Sequence, residues 1–428
     1  MKLLLILFIL AVLVFLTLLY LRPGRVFLLK TLLLPGASIL FVLCLIAFSN
    51  TAVSAALKGL NLWFNIVFPS LFPFFVASEL LNRSGFVRAV GILLEPVMRP
   101  LFNIPGCGSF AFAMGITSGY PVGAKITADL REENLLKKEE AERLLAFSNN
   151  SGPLFIIGSV SVGMFKLPEA GLFMLACHIL ACITVGVVLG LYSRRKGNIN
   201  PDAGRKDLWK RLKKALLHHR STKDFSFGVI LGEAVRNSVT LILAIGGFII
   251  LFSVIINLLL ETGIIGFLSQ LFSFPLSFLG IHKDIVTSAL CGIFEITTGT
   301  NMLSSASRAP LIQQLTGASL VIGWAGLSVH AQVASITSRT DMSIKTYLLG
   351  KTLQGIFSAA YTFIGIKTAG SVLFKTKPAF LPLQAPVNSN WYGYLWGSCG
   401  YLLGALIFIT ALAMIALCIR LIHGMLGK

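Results

Sequence analysis

The sequence predicts an all-α polytopic membrane protein of about ten spans, with two repeated units, each a re-entrant helical hairpin plus a broken transmembrane helix. Three observations carry this. Of 428 residues, 55% are hydrophobic and only 12% charged, about half the charge of a soluble domain. Mean hydropathy is +0.83. Four polar breaks interrupt apolar runs, two in each half, at a near-constant spacing. Together these exclude a soluble enzyme, a disordered tail and a fibrous protein.

The charge balance agrees. There are 36 Lys+Arg against 17 Asp+Glu, a net +19. In an apolar chain this reads as basic loops held on the cytosolic side. No basic patch is interleaved with aromatics away from the membrane flanks, so nucleic acid is not an expected partner. The seven cysteines are scattered and form no CxxC. They read as small buried residues rather than metal ligands or disulfides.

Met1–Leu21 is apolar after one lysine and lacks a small-x-small cleavage site. With Arg22, Arg25 and Lys30 behind it, it reads as a retained first span whose C-terminal end is cytosolic. Residues 32–49 form a second span, and 61–82 a third, interrupted by Pro69 and Pro73. Residues 85–103 are apolar but short. Residues 125–143 carry six acids and five bases, with Glu133/Lys137 and Glu139/Arg143 at i,i+4 spacing on a solvated helix. Residues 193–224 hold eleven Lys/Arg against three Asp, a cytosolic loop dividing the chain in two. Its WKRLKKALLHH stretch reads as a helix on the membrane surface. Further spans are expected at 229–260, 263–280, 315–338, 344–374 and 397–421, the last after a connector marked by Pro378, Pro382 and Pro386.

The halves repeat weakly. Ser84, Gly85 and Phe86 match Thr262, Gly263 and Ile264 at an offset of 178, and Gly115-Ile116 matches Gly292-Ile293 at 177. SGYPVG (118–123) then faces ITTGTN (296–301), and FSNNSGP (147–153) faces LSVHAQ (327–332). Four matches in order indicate a duplication, a recurrent transporter plan. The expected division is residues 1–50 as N-terminal transmembrane helices, 51–192 as the first repeat with its hairpin at 104–142, and 193–227 as the basic loop. Residues 228–375 form the second repeat with its hairpin at 284–310, and 376–428 a connector and C-terminal helix.

The breaks carry the chemistry. Two glycines and a proline at Ser118, Gly119, Tyr120, Pro121, Val122 and Gly123 stop a helix and allow a tight reversal. Backbone opened in this way must be buried in protein or line a wet cavity. The turn's amides, at a helix N-terminus, suit an anion or carboxylate. In the second copy Glu295 sits among Ile293, Phe294 and Ile296, where a lone carboxylate is costly unless paired or protonated. Thr297, Thr298 and Asn301 can bond it. Glu295 is either a substrate or cation ligand, a protonatable coupling group, or the cap of a broken helix. Asn149, Asn150 and Ser151 interrupt the next apolar run. Ser328, His330 and Gln332 do so in the second half, at an i,i+2 spacing that points to local unwinding. Glu79, with Asn257 as its counterpart, is a weaker candidate. Lys125 and Arg339 follow the breaks and either draw in an anion or snorkel to the interface. There is no Walker A, HExxH, GxSxG or phosphorylation-type Asp motif, so the chain is not read as an enzyme or an ATP-driven pump.

SGYPVGAK at 118–125, FSNNSGP at 147–153, FEITTG at 294–299 and SVHAQ at 328–332 together resemble the YlbJ (SpoVV) family of sporulation integral membrane proteins, over about residues 35–375. That family belongs to a broader group with nucleoside-recognition, or Gate, domains. The group resembles concentrative nucleoside transporters in its hairpin-plus-broken-helix units. The resemblance implies a spore-forming Firmicute and movement of dipicolinic acid across the outer forespore membrane. Hairpin amides would take the carboxylates of this dianion, Asn149 and Asn150 would donate hydrogen bonds, and Tyr120 or Phe294 would stack on its ring. Glu295 sits awkwardly in such a site unless it is protonated, binds a coupling proton or sodium ion, or pairs with His330. The expected partners are therefore a small-molecule substrate and the lipid bilayer, with no other cofactor and with a second copy of the chain left open. A nucleoside or other small-metabolite transporter of the same fold, and a membrane scaffold for spore-envelope assembly, are the alternatives.

Overall fold

The structure, a computed structural model, describes residues 23–83, 92, 94, 97–194 and 227–373. Met1–Leu21, most of the basic loop, the three-proline connector and the 397–421 span lie outside the described residues. The described chain is helical and contains no strand.

The first half runs α1 (Pro23–Ala47), α2 (Ser49–Leu62), a π-helical turn (Trp63–Val67) and α3 (Phe68–Arg83). Then come α4 (Gly108–Thr117), α5 (Val122–Glu132), α6 (Lys138–Ser148), a π-wound segment (Phe155–Met164) and α7 (Pro168–Arg194). The second half runs α8 (Phe227–Glu261), α9 (Ile264–Ser277), α10 (Lys283–Phe294), α11 (Ile296–Ser304), α12 (Leu311–Trp324), α13 (Leu327–Thr337) and α14 (Lys345–Leu373). The π turn lies just ahead of Pro69. Phe68 N–H reaches back to Trp63 O, five residues away, and Pro69 and Pro73 have no N–H for the carbonyls before them.

Four helical segments among the described residues are long and apolar enough to cross a bilayer: Ser49–Ala77, Pro168–Ser193, Gly228–Glu261 and Leu311–Thr337. Fewer spans than the expected ten are therefore seen as unbroken apolar helices. The breaks explain part of the difference, because a helix of about ten residues is only about 15 Å long. α8, at 35 residues, is about 50 Å long, more than hydrocarbon of about 30 Å requires. The span filled by α7 is one the sequence reading does not single out.

Counterpart helices pack on each other in opposite directions. An offset of 178 carries Ser49 onto Phe227 and Arg83 onto Glu261, and 177 carries Pro168 onto Lys345. Along α2, the π turn and α3, rising numbers meet falling numbers on α8. Ala55 O accepts from Ser253 Oγ at 2.9 Å, Trp63 Nε1 donates to Ile242 O at 3.1 Å, and Asn237 Nδ2 donates to Glu79 at 3.0 Å. The same holds for α7 on α14. Phe173 meets Gly365, and Cys182 lies near Lys351. Some pairs in contact are nearly their own counterparts: Trp63 and Ile242 are 179 apart, and Thr184 and Tyr361, 2.9 Å between hydroxyls, are 177 apart.

Each hairpin turn docks on the break of the helix that follows. Ser148 O is wedged between Gly115 and Gly123, where no Cβ would fit. Gly119, at φ 81, leaves room for only 2.7 Å between an added Cβ and Gly152 N. Tyr120 N–H donates to Asn150 O at 2.7 Å. In the second half Gly326 covers the α10–α11 junction, and an added Cβ there would stand 3.1 Å from Ile296 N.

The charged elbow works mainly through tertiary contacts. Asn134, at φ 57, follows the end of α5, and Lys137 caps α6. Glu133 and Lys137 therefore lie across a turn, not on one helix. Arg143 is buried and donates to Asn103 O at 3.0 Å. Glu142 accepts from Ser343 N at 2.8 Å and Thr346 Oγ1 at 3.2 Å. Arg131 makes a two-pronged bridge to Asp341, at 2.9 and 3.0 Å, and Arg339 stands 3.8 Å from Glu132. These bonds tie the first hairpin to the α13–α14 connection.

The hydrogen bond from Arg131 holds the Asp341 carboxyl below the usual carboxylate range. A carboxyl depressed in this way stabilises the fold fully above its unfolded value of about 3.9. The contribution disappears as pH falls through the lower folded value. Asp341→Asn is expected to lower the melting temperature of the detergent-purified protein at pH 6. The gap to wild type should close below about pH 4. A gap of equal size at pH 3 would assign the effect to something other than this ion pair.

Candidate functional site

The two hairpin turns and the two helix breaks converge on one cleft. Ser118, Gly119 and Tyr120 come from the first turn, and Gly152 from the first break. Glu295, Ile296 and Thr297 come from the second junction, and Ser328, Val329 and Gln332 from α13. The remaining wall is apolar, with Phe75, Phe155 and Phe248 as its rings. Among the described residues the lining contains one carboxyl group and no Lys, Arg or His.

Glu295 is 2% exposed and extended, at φ −146 and ψ 123. It ends α10 and caps α11. Its two oxygens accept from Thr297 N at 2.9 Å and Thr298 N at 2.6 Å. A carboxylate at a helix N-terminus meets both the free amides and the positive end of the dipole. The second hairpin's amides are thus taken by the chain's own carboxylate, not left for a ligand's. The expected pairing of Glu295 with His330 is absent among the described residues. His330 Nδ1 instead lies 3.2 Å from Tyr347 Oη, and its ring stands edge-on to Trp324 at 4.4 Å.

The polar triplet of the second half is helical, not unwound. The break lies just before it, at Ala325 (φ 77) and Gly326 (φ 83). On the resulting α13, Ser328 and Gln332 sit four residues apart and face the cleft, and His330 points to the other side. Nothing in the residue type of Ala325 announces a left-handed backbone. Gly326 beside it was the available signal.

Behind the cleft lies a second polar cluster, fully buried. Asn149 Nδ2 donates to Tyr347 Oη at 3.1 Å. Lys351 Nζ donates to Asn149 O at 2.9 Å and to Gln354 Oε1 at 2.6 Å. Gln354 Nε2 donates to Asn150 Oδ1 at 2.8 Å and lies 3.3 Å from His178 Nε2. Ser151 bridges the two regions, with its hydroxyl 3.5 Å from Tyr120 Oη and 3.4 Å from Ile322 O.

Of the residues named from sequence, Ser118, Gly119, Tyr120, Glu295, Thr297 and Gln332 line the cleft. Asn149, Asn150 and His330 belong to the cluster behind it, because the break turns their side chains toward α14 and α7. Thr298 contributes its amide to Glu295. Asn301 is outside the lining, and its carbonyl accepts from the hydroxyls of Ser304 and Ser305. Phe294 is also outside, packed with Cys291 and Ile265. The cleft's aromatic walls and the α14 residues were missed. The latter had a signal: Tyr347, Lys351, Gln354, Ser358 and Thr362 recur every three or four residues, a polar stripe on an apolar helix. All five are 0% exposed.

Residues 64–191, from the π turn to the end of α7, match the Gate family, described as nucleoside recognition. The sporulation integral membrane protein YlbJ of Bacillus subtilis (strain 168) is 39% identical over 341 residues, which cover 78% of this chain and 82% of that protein. The chain belongs to the YlbJ family. It is an integral, multi-pass membrane protein with a Gate region. No solved structure matches it. The likeness covers 78% of the chain, so this YlbJ-family chain resembles its relative well beyond the Gate region at 64–191.

Proposed function

We propose that the protein is a secondary transporter or facilitator of a small anionic aromatic metabolite, with dipicolinate at the outer forespore membrane as the first candidate. The observation that carries this is the cleft itself. Two hairpin turns and two helix breaks meet there, where polar backbone is tolerated only around a cavity or inside protein. A scaffold has no need of that costly polarity. In this reading the hairpins are re-entrant, the antiparallel counterparts are inverted-topology repeats, and the site opens to either side as the halves rock. Phe75, Phe155, Phe248 and Tyr120 supply flat surface for an aromatic ring. The relative's place in sporulation supports the choice of dipicolinate.

One observation favours a second reading. A dianion entering this cleft meets Glu295 and, among the described residues of the lining, no cationic side chain. A neutral, hydroxyl-rich ligand such as a nucleoside fits those groups, in keeping with the Gate description. Uptake of labelled dipicolinate into proteoliposomes, with unlabelled uridine or dipicolinate as competitor, decides between them. Saturable uptake blocked by dipicolinate alone is the expected result. Labelled uridine uptake that is indifferent to dipicolinate would replace it with the nucleoside reading.

A further inference from the structure

The break after α6 holds a buried amine that the cleft does not use. Lys351, on α14, is 0% exposed, so its amine does not snorkel to water as membrane lysines commonly do. Among the described residues no carboxylate stands within ion-pair distance of it. Its partners are oxygens of neutral groups: Asn149 O at 2.9 Å and Gln354 Oε1 at 2.6 Å. Asn149 is the residue at which α6 ends, with φ −92 and ψ 89. Its carbonyl therefore lies at the partly negative end of a helix and is turned out of the helical ladder. A third oxygen, Asn149 Oδ1 on the same residue as the carbonyl, is buried with no partner. Carbonyl and amide oxygens gathered at an unwound helix end are the ligand set by which membrane transporters hold a monovalent cation. Here an ammonium tethered to α14 fills the place.

We propose that the break after α6 is a monovalent-cation seat that the protein occupies with its own Lys351. The chain thus carries its own amine at this position and needs no free sodium ion there. The seat also locks two parts of the fold together, because Lys351 joins α14 of the second half to the first-half break. An ammonium in such surroundings is retained at high desolvation cost, and the helix-end carbonyl is the group that offsets it. The consequence for ion coupling rests on the transport reading above. The seat itself does not.

The test uses the full chain purified in detergent, melted in sodium, potassium or choline chloride. Wild type should melt at the same temperature in all three. Lys351→Ala should melt lower by roughly 5 °C or more and regain stability, in a saturable way, with sodium or n-propylammonium chloride but not with choline, which is too large. Lys351→Met, which fills the space without charge, should melt low and show no rescue. Should the alanine variant fail to fold, Lys351→Arg and the wild type keep the test decisive: arginine should fold, and wild type should ignore sodium. Sodium-specific stabilisation of wild type, a methionine variant as stable as wild type, or an alanine variant that no small cation rescues would each overturn the proposal. In proteoliposomes, replacing sodium by choline should leave wild-type uptake within about twofold, a change of less than ~0.5 kcal/mol. Strict sodium dependence of that uptake would overturn the coupling consequence. Absence of any uptake would count against the transport reading and leave the melting comparison standing.

Discussion

Glu295→Gln is expected to yield a folded protein whose saturable uptake is at least about tenfold below wild type, a loss of ~1.4 kcal/mol or more. The carboxylate has two jobs at one position. It caps α11 through Thr297 N and Thr298 N, and among the described residues it is the one carboxyl group in the lining of the cleft. Glutamine keeps one acceptor oxygen and turns an N–H₂ toward the second amide. The cost to the fold is about 1–3 kcal/mol, the penalty for a buried donor left unsatisfied. That is enough to lower the melting temperature without unfolding the chain. Glu295→Asp, a residue favoured at helix N-caps, should recover much of the stability. Its shorter reach separates capping from ligand contact: stability restored with uptake still reduced is the expected pattern. Glutamine uptake indistinguishable from wild type would make Glu295 a cap alone.

Gly115→Ala should destabilise the protein more than any other single exchange in the first hairpin, by about 3 kcal/mol or more. The carbonyl of Ser148 sits against Gly115 on one side and Gly123 on the other, and a Cβ on either glycine would overlap it. The neighbour is backbone at the helix break, so it has no rotamer into which to retreat. Relief requires moving the hairpin off the break, which also pulls Tyr120 N from Asn150 O. Gly247→Ala is the control. It lies on α8 with no atom within 4 Å of an added Cβ, and alanine there gains up to about 1 kcal/mol in helix propensity. The measurement is the recovery of monodisperse protein and its melting temperature. A Gly115→Ala variant as stable as wild type would mean that the hairpin and the break are not packed as described.

The first prediction turns on a residue that the sequence marks out, and the second on a glycine just ahead of a turn that it marks out. Glu295 stands out because a carboxylate in an apolar run has to be satisfied somehow. Gly119 and Gly123 stand out because two glycines and a proline within seven residues stop a helix. Other features gave a weaker signal or a misleading one. Ser328, His330 and Gln332 at i,i+2 spacing suggested unwinding. The chain instead breaks at Ala325 and Gly326, which lets the same residues wind into a helix with two faces. Asn149 and His330 meet through Tyr347, which is 198 residues from the first and 17 from the second. No local pattern joins a partner so distant. The α14 stripe was readable from its helical period, but its meaning depends on what lies opposite it.

Composition and periodicity were sufficient for the solvent and the class of fold. A chain this apolar, with charge confined to short stretches, has to satisfy its backbone internally and so is helical where it meets lipid. The order of hairpins and broken helices follows from where glycine, proline and polar residues interrupt those helices. The direction in which the halves pack, the seating of Lys351 on Asn149 O and the turning of Glu295 onto its own helix are of another kind. They depend on contacts between segments far apart in sequence, α2 and α3 on α8, α7 on α14, and each hairpin turn on a later break. A polar group's role in a membrane interior is set by the partner that satisfies it, and here that partner comes from another segment of the chain. Even for Glu295, whose partners are two and three residues away, the backbone conformation that brings them into reach is held by the packing of Gly326 over the junction.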